Sequence, residues 1–433
     1  MSWSPQRRLG TADAVVLGLS AMLGTGVFAV WAPAAGAAGA WLLLAVLLAG
    51  VVAMCNAAST ADLAVAHPES GGGFVYGRER LSHGAGRLAG VAFLVGKTAS
   101  AAAAAGVFGA YVLPSHPLPT AILVIIAATV LNTAGVRWTA RGAYALVGGT
   151  LAVLLVVVVV GLFGTQVDPV GSAATPDVEP VAIRGGVIGV LTAAGLVFFA
   201  FAGYARIATL GAEVRDPGRT VHRAIAIALG IALVTYMLVA VALLVGFGSE
   251  RLATEPTPLV ALVDAGEASA LGVIVRVGAA MAAASALLAV LVGVSRTASA
   301  MAQRRELPSA VAVVCSRGTP FWADLAGGVA AIVLAVLAGP MAAIALSACS
   351  VLVYYAVINL AALRLPTSQR SWPVWSSVLG LLLCVSLSVM LALQQVLTTA
   401  VALAVGWAVC TVFARRRSSP HGVPEIGDDP GGS

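Results

Sequence analysis

The chain has 433 residues, 60% of them hydrophobic and 10% charged, with a formal net charge of +6 and a mean hydropathy of +0.99. A water-soluble domain of this length cannot hide so much apolar surface, so the composition excludes one and points to an all-α polytopic membrane protein. The five cysteines (Cys55, Cys315, Cys349, Cys384, Cys410) are scattered and odd in number, which argues against a disulfide framework or a CxxC metal site. No metal and no cofactor are expected.

With a window of roughly 19 residues, the predicted spans run over 12–37, 41–65, 88–112, 119–135, 142–163, 186–211, 223–247, 270–301, 322–338, 341–363, 374–393 and 396–414. These are twelve transmembrane helices. The first segment has no small-residue cleavage site after it, so it reads as a retained helix and not as a signal peptide. Arginines gather in alternate loops: Arg7 and Arg8, Arg78 to Arg87, Arg137 and Arg141, Arg215 to Arg223, Arg304 to Arg317, Arg364 and Arg370, and Arg415 to Arg417. The intervening loops are short or acidic, with Asp168, Asp177 and Glu179 in one and Glu250, Glu255, Asp264 and Glu267 in another. The positive-inside rule therefore predicts a cytoplasmic-membrane protein with both termini in the cytoplasm. It also accounts for the net charge without a nucleic-acid partner, since the arginines lie at loop ends and not on one face. The tail 415–433 has the composition of a disordered segment.

Within the first span, Leu23-Gly24-Thr25-Gly26-Val27-Phe28 interrupts an apolar run with two glycines. Unpaired peptide groups in hydrocarbon cost several kcal/mol each, so an unwound turn at that depth survives only where it lines a cavity or binds something. The sixth span places Gly203 after Phe198, Phe199 and Phe201 near its middle. For either position alone, close helix packing through small residues is an equally good explanation. Interruptions five helices apart, however, are the sequence mark of a secondary transporter built from inverted repeats, with substrate held between them. The predicted organisation is a 5+5 inverted repeat with discontinuous helices 1 and 6. The first repeat is 1–163, an extracytoplasmic loop 164–185 follows, the second repeat is 186–363, and two C-terminal helices occupy 364–414.

These segments resemble the amino acid permeases of the amino acid–polyamine–organocation superfamily. Gly18-Leu19-Ser20 through Gly24-Thr25-Gly26-Val27-Phe28 is similar to the first-helix motif of that family, and Pro68 to Tyr76 to its loop motif. Phe198 to Gly203 with Glu213-Val214-Arg215-Asp216-Pro217 resembles the sixth-helix signature, and Val294-Ser295-Arg296, Glu306-Leu307-Pro308 and Gly318-Thr319-Pro320 resemble the end of the eighth helix and its loop. The resemblance implies a substrate site formed by Met22, Gly24, Thr25, Gly26, Phe199, Phe201, Ala202 and Gly203. The substrate carboxylate would meet the amides of residues 24 to 26, and its amino group the carbonyls around 199 to 202. Half-helix ends carry about half a unit charge of the matching signs, which suits a zwitterion. Many members place an acidic residue two positions after the sixth-helix glycine; here Ala205 stands there, followed by Arg206. That departure favours neutral or small amino acids over cationic ones.

Lys97 is the one lysine of the chain and sits about ten residues into the third span, roughly 15 Å along the helix. Ionisable residues at such depth are functional hypotheses by default, so Lys97, with Ser285 on the eighth span, is the candidate ion-coupling group for a proton or sodium. The plainer account is that its stem reaches back to the cytoplasmic surface. Phe199, Phe201 and Tyr204 are gating candidates, although aromatics in a helix core are commonly packing. Glu213 and Arg215 are candidates for an ion pair at the inner mouth, or for a solvated loop. The expected function is secondary active transport of an amino acid or related amine by alternating access. The alternatives are a polyamine or organic-amine permease and a non-transporting sensor or scaffold of the same fold. The spans offer no nucleophile-base pair or metal cluster, so an enzyme is not expected.

Overall fold

The computed structural model describes residues 10–67, 71–135, 140–164, 185–209, 214, 216–265, 270–315 and 318–416. Pro68 to Ser70, Glu213, Arg215, nearly all of the loop 164–185 and the tail from residue 417 lie outside the described residues. Every regular element among the described residues is helical.

The first predicted span divides into α1 (Thr11–Met22), α2 (Gly26–Ala29) and α3 (Trp31–Ala38), and the second is α4 (Leu42–Ala66). A short helix, α5 (Gly73–Arg80), precedes α6 (His83–Val112), α7 (Pro117–Thr133) and α8 (Ala140–Val159), the last prolonged by a π-helical turn, Val160–Gly164. The sixth predicted span comprises α9 (Gly186–Phe201), a 3-10 turn (Ala202–Tyr204) and α10 (Ala205–Thr209). Then come α11 (Pro217–Thr254), α12 (Pro258–Ala265), α13 (Ala270–Gln303), α14 (Phe321–Ala362), α15 (Val374–Met390) and α16 (Leu393–Arg416). Gly339, at φ +68°, divides α14 into the stretches expected as the ninth and tenth spans. Nine helical segments among the described residues are long and apolar enough to cross a bilayer, and α7 and α15 are shorter apolar helices. Helices that satisfy their own peptide groups are the one open-ended way to cross hydrocarbon, and the chain is a polytopic membrane protein.

The helices α5 and α12 were not expected, because eight residues are too few to register in a window sized for a bilayer. The chain turns into α5 through Gly71 (φ +126°) and Gly72 (φ +52°), a conformation that L side chains rarely adopt. The Gly73 amide then donates to the Tyr354 hydroxyl at 3.1 Å, fixing the start of α5 against α14.

Buried apolar residues form two clusters. The larger joins α1 to α4 with α9 and α11, runs on into α6, α13 and α14, and includes Phe28, Trp31, Phe198 and Tyr236. The smaller is alanine-rich, joining Ala101 to Ala105 of α6 with Ile125 of α7, Leu287 and Leu291 of α13, and Ala331 and Ile344 of α14. Small side chains let helix axes approach closely in lipid, where dispersion contacts rather than water exclusion hold helices together.

One carboxylate ties α5 and α6 to the end of α13. Glu306, 3% exposed, accepts from Arg87 of α6 at 2.7 Å and from Arg78 of α5 at 3.3 Å. Arg87 also donates to Thr411 of α16 at 2.7 Å and lies 5.4 Å from the centre of the Trp407 ring. The exposed pair Arg304–Glu79 at 3.6 Å is the natural contrast. Glu306→Ala strands two guanidiniums and is expected to cost about 2 kcal/mol, less than a fully enclosed pair because both arginines keep some solvent. Glu79→Ala should cost below about 0.5 kcal/mol. Thermal unfolding of the two variants in detergent measures the difference.

Candidate functional site

The first span is interrupted, not merely bent. Leu23, at φ −78° and ψ 37°, leaves the helix after its amide has bonded to Leu19 at 2.7 Å. The amides of Gly24 and Thr25 donate to no backbone carbonyl among the described residues. The Thr25 hydroxyl is buried and likewise has no hydrogen-bond partner. Helix resumes at Gly26, where Phe28 bonds back to Thr25 at 3.1 Å.

The sixth span behaves differently. In place of an opened turn at Gly203, α9 tightens into the 3-10 turn and continues as α10, with the Ala205 amide bonded to Gly203. The cause is the neighbour: a Cβ on Gly203 would overlap the backbone of Ala21, and a Cβ on Gly26 would overlap that of Ala200. The two glycines thus let the spans interlock backbone to backbone, and the ring of Tyr236 from α11 completes the joint. Its hydroxyl lies 2.6 Å from the Met22 carbonyl and 3.1 Å from the Ala200 carbonyl, so one proton serves the end of both helices.

Beside this joint lies a cavity of about 430 Å³, within the range of roughly 300–1,000 Å³ typical of small-molecule sites. Met22, Thr25, Gly26, Phe199, Ala202 and Gly203 line it on one side, and Lys97 on the other. It extends past Ala205 and Arg206 towards His67, Tyr76 and Arg296. Outside the lining, aromatic contacts join the spans. The Phe28 and Tyr111 rings meet edge-on at 6.0 Å, the Tyr111 hydroxyl donates to the Phe28 carbonyl at 3.1 Å, and Trp31 meets Tyr236 at 6.3 Å.

Of the other residues expected at the site, Gly24 does not line the cavity but approaches α13, where a Cβ would come 2.8 Å from that of Ala286. Phe201 and Tyr204 are fully buried away from the cavity, Phe201 against Tyr236 at 4.8 Å and Tyr204 against Tyr355 at 5.3 Å. Ser285 is buried on α13 outside the lining. Glu213 and Arg215 lie outside the described residues.

Sequence reasoning passed over Phe93, Ser100, Tyr354 and Arg296 as lining residues, and Tyr236 as the clasp. Spacing offered a signal for some of them. Phe93, Lys97, Ser100 and Ala104 recur at four, three and four residues, which places them on one face of α6. Tyr354 reaches that face from α14, its ring 5.2 Å from Phe93.

A profile of the family described as "Amino acid permease" matches residues 9–414. The chain is 47% identical over 418 residues to an uncharacterized transporter of Mycobacterium tuberculosis (strain ATCC 25618 / H37Rv), covering 95% of this chain and 93% of that one. It is 29% identical over 311 residues to the inner membrane transport protein YbaT of Escherichia coli (strain K12), covering 69% and 70%. With a vacuolar cationic amino acid transporter of Arabidopsis thaliana it shares 27% identity over 353 residues, 76% of this chain and 55% of that protein.

The backbone joint is directly testable. Gly203→Ala should cost about 1–3 kcal/mol, the usual consequence of overpacking, because backbone cannot move aside as a flexible side chain does. At Gly230, inside α11, a Cβ meets nothing within 4 Å, so Gly230→Ala should be stabilising by about 0.5–1 kcal/mol through helix propensity. Opposite signs in the thermal unfolding of the two variants are the expected outcome.

Proposed function

We propose that this chain, which belongs to the amino acid permease family, is a secondary transporter that carries an amino acid or related amine by alternating access at the α1–α2 break. The observation that carries the reading is the pair of donors that Thr25 presents at the cavity wall, its amide and its hydroxyl, with the Gly24 amide one residue earlier; none of them has an acceptor among the described residues. Donors with no acceptor cost several kcal/mol in a medium without water, and a substrate carboxylate is the acceptor that suits them. The ammonium then falls at the C-terminal end of α9, around Phe199 to Ala202, where the helix dipole is negative. Since Tyr236 already occupies the carbonyls of Met22 and Ala200, the ammonium falls to the other carbonyls of that turn.

On this reading the chain crosses the membrane twelve times, with residues 1–163 and 186–363 as inverted repeats and the termini in the cytoplasm. The arginine-rich loops then lie on the side towards which the cavity extends, and the structure is an inward-facing state. Transport proceeds as the spans that meet at the joint, α1 to α3 with α9 and α10, rock against the remaining helices. A polyamine substrate fits poorly, because no Asp or Glu among the described residues lines the cavity.

Uptake of labelled amino acids into proteoliposomes, with and without a pH gradient, tests substrate and coupling together. Saturable uptake is expected. Thermal stabilisation by an amino acid with no uptake would instead identify a sensor. Thr25→Val keeps the shape of the side chain and removes the lone hydroxyl. A hydrogen bond to a charged group is worth about 1.5–3 kcal/mol, so KM should rise about tenfold or more with the unfolding temperature unchanged.

A further inference from the structure

The charges facing the cavity are of one sign. Lys97, Arg206 and Arg296 line it, with His67 at its far end, and no carboxylate among the described residues accompanies them. The surroundings of Lys97 are the informative ones. Among the described residues its ammonium makes no hydrogen bond or ion pair, and the Phe93 ring lies 6.0 Å from it. The hydroxyl of Ser100, one turn along the same face, is engaged with the Gly96 carbonyl at 3.1 Å and the Ser347 hydroxyl at 2.7 Å. An ammonium has three donors and no acceptor capacity, and within a membrane span such a group persists where a counter-charge arrives from elsewhere. Arg296, one of the lining residues of α13 and exposed, likewise makes no ion pair or hydrogen bond among the described residues. Asp324 of α14 senses its charge from outside the lining. Two cations along a low-dielectric passage concentrate anions in it and repel cations.

We infer that the substrate is an α-amino acid with an anionic side chain, whose side-chain carboxylate is received by Lys97 while Arg296 draws it into the cavity. The inference rests on the reading above, in which the α-carboxylate is already met at residues 24 to 26; the free ammonium across the cavity is then available for a second acid group. It replaces the neutral substrate expected from Ala205 with an acidic one. It also separates this chain from the relative named as a cationic amino acid transporter.

The test uses the full chain in proteoliposomes and labelled L-glutamate, L-aspartate, L-glutamine, L-asparagine and L-arginine, with wild type, Lys97→Gln and Lys97→Arg. Wild type is expected to carry at least one acid with kcat/KM at least tenfold above its amide, and to exclude arginine. Lys97→Gln should bring acid and amide within about threefold by losing the acid alone, whereas Lys97→Arg keeps the preference. If wild type carries the amides or arginine as well as the acids, the inference fails while the permease reading stands. Equal loss of every substrate in Lys97→Gln, with an unchanged unfolding temperature, also overturns it, because the ammonium then serves binding or coupling in general. Should that variant not fold, the wild-type panel decides. Uptake of no amino acid at all removes both readings together.

Discussion

Peptide groups that lose their helical partners inside hydrocarbon need another partner at once, and the whole architecture follows from where this chain permits that. The Gly24 and Thr25 amides lack a backbone acceptor among the described residues, at a point where two spans meet closely. Gly26 lies against Ala200 and Gly203 against Ala21, so the main chains themselves form the contact. The Tyr236 hydroxyl satisfies carbonyls at the ends of α1 and α9 together. What remains unsatisfied is a small group of donors on the side of the cavity, where a ligand or water can reach them. A bulkier residue at either glycine would separate the spans, and the remaining peptide groups would lose the neighbour that keeps their exposure small.

Buried polar ties join the helices at several points. Glu306 binds α5 and α6 to the end of α13, and through Arg87 reaches α16. Asp62 of α4 accepts from the amides of Ser371 and Trp372, just before α15, at 3.0 and 3.4 Å, and lies 2.9 Å from the His222 ring of α11. A second buried network, with Ser59 bonded to Asn359 at 2.7 Å and Asn359 to Asn56 at 2.6 Å, joins α4 to α14. Packed cores and buried polar networks have discrete arrangements and resist gradual deformation. The aromatic contacts of Phe28, Tyr111 and Trp31 lie outside these ties.

The sequence made some of this legible and hid the rest for identifiable reasons. Hydropathy located the long helices because length and apolarity are properties of each segment alone. The break at Gly24 to Gly26 was visible for a related reason: two glycines in an apolar run weaken helix locally whatever surrounds them. Gly203 carried the same signal and gave a different result, a tightened turn, because the backbone of Ala21 occupies the space that an opened turn needs. The difference lies in a neighbour 182 residues away in the chain, and no local pattern reports it. Tyr236 and Tyr354 were hidden for another reason. Lipid-facing and core-facing surfaces of a membrane helix are both apolar, so the periodicity that marks a buried face in a soluble helix is faint here. The short α5 and α12 fall below the length at which an averaged hydropathy responds.

Composition also constrains how a site of this kind can choose its cargo. Besides the interrupted spans, much of the cavity wall is made of Ala104, Ala286, Ala289 and Gly293, the same small residues that let α6 and α13 pack closely elsewhere. A wall of alanine and glycine leaves room, and room discriminates poorly: one methylene more or less in an apolar pocket is worth only about 1–3 kcal/mol. A misplaced charge is penalised far more heavily in a low-dielectric passage than in water. With walls so small, the polar groups able to discriminate are those of Thr25 and the cations Lys97, Arg206 and Arg296 that also line the cavity. On the proposed reading, shape sets an upper limit on size, and charge does the choosing within it.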